Sequence, residues 1–114
     1  MKIPELLRWQ WRGYARYHRN RTNLLLHIVS VPLFLLGTVM LVIAAITLSL
    51  TLLVAAVVTM ALVVAIQGRG HRLESVPPEP FTGAANFIAR LVFEQWVTFP
   101  RFVLTGGWVR NLTN

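Results

Sequence analysis

Residues 24–66 read "LLLHIVSVPLFLLGTVMLVIAAITLSLTLLVAAVVTMALVVAI", 43 residues in a row without an Asp, Glu, Lys or Arg. As one straight helix the run would be about 65 Å long, roughly twice the ~30 Å hydrocarbon core of a bilayer. One span is too short a use of it, and two antiparallel spans fit. Inside the run, "AAITLSLTLL" (44–53) has Thr47, Ser49 and Thr51 as its only polar side chains, which places a tight turn near Ser49. The expected fold class is therefore an all-α membrane protein, with a transmembrane helical hairpin at about 24–46 and 50–68.

Charge orients the hairpin. All 11 Lys and Arg residues lie outside the run, six before it (Lys2, Arg8, Arg12, Arg16, Arg19, Arg21) and the rest after it, and the turn carries none. Positive residues stay inside, so both termini are expected in the cytoplasm, as for a bacterial inner-membrane protein. The net charge of +7 suits an anionic membrane surface, where each basic residue adds about 1 kcal/mol of attraction. The first twenty residues are too polar for a signal peptide and lack a small-residue cleavage pattern, so no removal is expected. The chain has no cysteine, which excludes disulfides, thiolate zinc sites and cysteine nucleophiles.

The flanks read as helices attached to the hairpin within a single membrane domain, 1–114. In "IPELLRWQWRGYARYHR" (3–19), Pro4 and Glu5 suit a helix start, and aromatic residues alternate with arginines at three- and four-residue intervals. That is the pattern of an interfacial helix, aromatics at headgroup depth and arginines reaching phosphate. The same mixture in a soluble protein would suggest nucleic acid, but adjacency to a span explains it more simply, so no nucleic-acid partner is expected. Gly68 and Gly70 are expected to loosen or end the second span, and Pro77, Pro78 and Pro80 to delay the next helix. That helix, about 84–98 with a break near Pro100, holds Arg90 and Glu94 and is too charged for a third lipid-facing span. It is expected in the interface or packed on the hairpin.

Three histidines, His18, His27 and His71, are all the chain has. With the turn near 48–49, residue 27 lies level with one near 70, because both helices rise equally per residue. A bend at Asn20–Asn23 would fold His18 over the same mouth. Glu74 follows His71 by three, the spacing of one helical face. Three imidazoles and a carboxylate suit a divalent ion, Fe(II), Mn(II) or Zn(II), since imidazole serves all of them and a carboxylate lowers the net charge. The expected metal ligands are thus His18, His27, His71 and Glu74, the three histidines being also the catalytic candidates. Asn20, Asn23 and Gln67 are candidates for orienting the rings by accepting the other ring N–H. Glu94 reads chiefly as an ion-pair partner of Arg90, four residues before it, with contact to the site as the lesser alternative. Each histidine alone has a plainer reading as an interfacial structural residue; their common depth is what favours a site.

"YHRNRTNLLLHIVSVPL" (17–33) and "QGRGHRLESVPPEP" (67–80) also resemble, in order and separation, the two signatures of a small membrane family of 2-hydroxy fatty acid dioxygenases. The family includes the yeast enzyme of phytosphingosine breakdown and bacterial members long described as a domain of unknown function. The resemblance covers about residues 14–82. It implies a ferrous dioxygenase that shortens a 2-hydroxy fatty acid by one carbon, with His18, His27 and His71 required and Glu74 carried over with them. The stretch "SVPPEPF" after Glu74 departs from the family's commoner basic-Pro-Ala pattern, so the fold transfers better than the substrate.

The expected partners are the bilayer and a fatty-acid-like substrate whose carboxylate meets Arg19, Arg21 or Arg72. A second copy of the chain, as a homo-oligomer, would cover the faces of so small a hairpin. The rival from another class is a non-catalytic membrane scaffold or lipid-interacting protein whose basic N-terminal helix recruits partners or anionic lipid.

Overall fold

The computed structural model describes residues 1–114 and is helical throughout, with no strands. Helix α1 (Ile3–Tyr17) has Pro4 and Glu5 in its first turn and stops before His18, whose backbone leaves the helical region at φ −133°. Asn20 then caps α2 (Arg21–Thr47), its side-chain oxygen accepting the Asn23 N–H at 3.0 Å. The hairpin turn is short. Leu48 takes the left-handed conformation at φ 53°, and Ser49 caps α3 (Leu50–Arg72) by accepting the Leu52 N–H at 3.2 Å.

Two expectations fail in informative ways. Helix α3 runs through Gly68 and Gly70 to Arg72 instead of loosening there. Gly70 is used for close approach, because a Cβ at that position would collide with the Asn23 side chain across the hairpin. The expected break near Pro100 is also absent. After the proline-rich connection, α4 (Ala84–Phe93) passes into a π-helical turn (Glu94–Thr98) and on into α5 (Phe99–Leu104). The Phe99 N–H donates to Glu94 O, five residues back. This widening precedes Pro100, whose ring would otherwise press on the preceding turn and whose nitrogen has no proton to give. The chain breaks instead at Gly106, φ 84°, a left-handed position that glycine takes without strain, and α6 (Gly107–Thr113) follows.

The core sits at the open mouth of the hairpin. Tyr14 of α1, Leu24 and Val31 of α2, and Phe99 and Phe102 of α5 form one buried cluster, with Trp11, Ile28 and Trp108 packed against it. The indole N–H of Trp108 donates to Leu24 O at 2.9 Å, and the Asn111 amide donates to Ala15 O and His18 O at 3.0 and 2.8 Å. Thus α1 and the C-terminal segment are folded onto the mouth. The opposite end of the hairpin is bare: Val42, Ile46, Leu48, Leu50, Val54 and Val57 are all exposed. By length and composition, α2 and α3 are each able to cross a membrane.

Candidate metal centre

His18, His27 and His71 come from three different elements, the end of α1, the start of α2 and the last turn of α3, and meet at the mouth. Their ring centroids are 4.9, 4.8 and 5.1 Å apart pairwise. His18 Nδ1 lies 2.8 Å from Tyr14 O and His27 Nδ1 lies 3.0 Å from Asn23 O. A carbonyl only accepts, so each Nδ1 carries the proton, and each Nε2 keeps a lone pair. His18 is also held flat against Tyr14, ring centroids 3.8 Å apart and 14° from parallel.

The fourth member of the group is Glu94. One ligand atom from each of His18, His27, His71 and Glu94 falls within 4.8 Å of the others. Glu94 Oε2 is 3.3 Å from His18 Nε2 and 3.6 Å from His27 Nε2, and it accepts the Tyr14 hydroxyl at 2.7 Å. Three buried ring nitrogens, His18 Nε2, His27 Nε2 and His71 Nδ1, have no hydrogen-bond partner. An unsatisfied buried polar atom costs about 1–3 kcal/mol. Three of them converging on one carboxylate fit a divalent cation, which would take all of their lone pairs at once. Burial first, and then the charge of Glu94, push the Tyr14 hydroxyl well above its ordinary value, so it remains a donor.

Glu74, the expected fourth ligand, is engaged elsewhere. The helical face that would carry it ends at Arg72, and its carboxylate accepts the Arg19 N–H (2.9 Å), the Asn20 N–H (3.0 Å) and the Asn23 amide (2.6 Å). It ties the end of α3 to the start of α2. The three residues expected to orient the rings do not do so with their side chains. Asn20 caps α2 and donates to Leu73 O; Asn23 contributes only its backbone carbonyl, to His27. Gln67 exchanges two hydrogen bonds with Gln95 at 2.9 and 2.8 Å and donates to Ser30 Oγ at 3.0 Å.

That exchange forms a polar layer one helical turn beneath the cluster. Ser30 follows His27 by three, Gln67 precedes His71 by four, and Gln95 adjoins Glu94. Gln67 and Gln95 are buried, so Gln67→Leu, which strands the Gln95 amide, is expected to cost about 1–3 kcal/mol. Replacing both by Leu removes donor and acceptor together and recovers most of the loss. Thermal melts of the two proteins in detergent check this; equal melting would count against a reciprocal pair.

The cluster opens on a cavity of about 730 Å³ whose wall includes Tyr14, His18, His71 and Glu94. That is within the range of small-molecule sites. Of the arginines expected to meet a carboxylate, only Arg72 lines it. Arg21 donates to Leu112 O at 2.9 Å and fastens the C-terminus; Arg19 is exposed outside the cavity wall. Arg12, Arg16 and Arg90 line the cavity in their place. Arg90 is committed, donating to Glu79 O and Pro80 O at 2.8 and 3.1 Å and stacking on Phe81 and Trp9. Arg12, Arg16 and Arg72 make no salt bridge.

The sequence model of the family described as "Mpo1-like: 2-hydroxy-palmitic acid dioxygenase Mpo1-like" matches residues 5–101, a stretch that contains all four clustered residues. No curated protein and no solved structure matches the chain.

Proposed function

We propose a function from one premise: the chain belongs to the Mpo1-like, 2-hydroxy-palmitic acid dioxygenase family. The chain is an Fe(II)-dependent membrane dioxygenase acting on 2-hydroxy fatty acids or related lipids at the cytoplasmic interface. The observation that carries this reading is the convergence of three unpartnered imidazole nitrogens on the Glu94 carboxylate at the wall of a cavity.

His18 Nε2, His27 Nε2, His71 Nδ1 and Glu94 would hold the ion. Fe(II), when bound, supplies the redox chemistry by which O2 reacts with the 2-hydroxy acid. The chain supplies the rest. The carbonyls of Tyr14 and Asn23 fix the tautomer and direction of two imidazoles, and the Tyr14 hydroxyl fixes Glu94. Arg12, Arg16 and Arg72 line the cavity without a carboxylate partner, Arg16 resting on the Tyr17 ring, and are placed to receive the substrate carboxylate.

The hairpin would cross the bilayer with the mouth at the cytoplasmic surface. Only 28% and 17% of the most apolar windows of α2 and α3 are buried, too little for core helices of a soluble protein. Arg8 of α1 and Arg69 near the end of α3, exposed and outside the cavity wall, would then meet lipid phosphate.

Conversion of 2-hydroxypalmitate to the acid one carbon shorter consumes one O2 and releases CO2 and water, which balances without an added reductant. Full-length protein reconstituted with Fe(II) is therefore expected to take up O2 with 2-hydroxypalmitate and yield the shortened acid, and to do neither with palmitate. Shortened acid from neither substrate would sink the assignment.

A further inference from the structure

The hairpin contains three glycines, and two have a packing reason. A Cβ at Gly37 would strike Met60, and one at Gly70 would strike Asn23. A Cβ at Gly68 would meet nothing within 4 Å. Yet Gly68 lies within α3, where glycine is a poorer helix former than alanine. Local structure gives no reason for the missing side chain. The cavity does. Val64, Gln67, Gly68, His71 and Arg72 all line it, the spacing of a single face of α3. This face starts at the arginine rim, passes the metal cluster at His71, and descends toward the middle of the hairpin. The apolar side chains of Phe87 and Leu91, from α4, line the same cavity.

We propose that Gly68 is a specificity-determining position: by carrying no side chain it keeps open a lane along α3 in which the hydrocarbon tail of the substrate lies. The inference rests on the fatty-acid reading above and adds to it the path of the tail. A tail in this lane runs parallel to α3 from the cluster toward the apolar end of the hairpin, while the carboxylate stays among Arg12, Arg16 and Arg72. A short 2-hydroxy acid uses the head site and never reaches the lane, so a side chain at 68 discriminates by tail length.

The test uses full-length protein in detergent loaded with Co(II), which permits binding without turnover, titrated with 2-hydroxypalmitate and with 2-hydroxyhexanoate. Gly68→Ala and Gly68→Leu are expected to hold Co(II) as wild type does, and Gly68→Ala to melt higher, as a helix gains from alanine. In Gly68→Leu the ratio of affinities, long acid over short, is expected to fall about tenfold or more. Gly68→Ala shifts the ratio less but in the same direction, so a Leu variant that does not fold still leaves a readable result. An unchanged ratio in the folded variants, or Co(II) lost along with the long acid, overturns the proposal. Wild type that binds Co(II) but neither acid would instead defeat the fatty-acid reading, and the lane with it.

Discussion

His27→Ala protein, purified anaerobically and offered Fe(II), is expected to retain little of it where wild type retains it through gel filtration. His27 is fully buried, its Nδ1 is anchored on Asn23 O, and its Nε2 faces the other imidazoles with no partner of its own. Disturbing a group that merely orients a ligand costs about 10–100-fold in affinity, and removing a ligand outright exceeds that. The same substitution leaves a cavity in a packed site, so folding must be read separately. Helical circular dichroism and detergent melting serve for this. Equal metal in the two proteins, or metal-free wild type, would refute the centre. A scaffold whose basic helix recruits lipid predicts the opposite pattern, tolerance at the histidines and loss of function when Arg8, Arg12 and Arg16 become Glu.

The two carboxylates at the mouth are expected to separate cleanly. Glu94→Gln replaces an anion that lies against two imidazoles and the Tyr14 hydroxyl. Its neutral amide is a poor ligand for a hard divalent ion, and metal affinity should fall more than about tenfold with the fold intact. Glu74→Gln should do the reverse. Its carboxylate accepts two backbone N–H groups at the start of α2 and the Asn23 amide. Weakening these charge-assisted bonds is expected to cost on the order of 2 kcal/mol of stability while metal binding persists. Metal analysis and thermal melts of both variants provide the check. A Glu74→Gln protein that loses metal at unchanged stability would reverse the assignment made from the geometry.

The hairpin and the meeting of the histidines were legible in the chain because each rests on a one-dimensional quantity. The length of the charge-free run sets the number of helical passes, and equal rise per residue sets His27 level with His71. The bend that returns His18 is written in Asn20, whose type favours a helix cap. Glu94 stood only as the lesser alternative because its position depends on how the C-terminal segment docks, which no local periodicity records. A sequence clue did exist: a carboxylate within "RLVFEQW" has few polar neighbours, and Arg90, the nearest cation, turns out to serve the proline-rich connection instead. Glu74 misled for a related reason. Its spacing from His71 is helical, but the helix ends before it.

The π-helical turn at Glu94–Thr98 has a further consequence. It amounts to one residue more than an α-helix needs, and each residue advances a helix by about 100°. The segment before it and the segment after it are therefore out of phase. Upstream, the phase presents Leu91 and Glu94 to the cavity; downstream, it presents Phe99 and Phe102 to the core. No single helical wheel drawn over 84–104 can show both faces at once. The segment tolerates changes of residue more readily than changes of length, since a deletion of one position would keep either the carboxylate or the phenylalanines in place but not both.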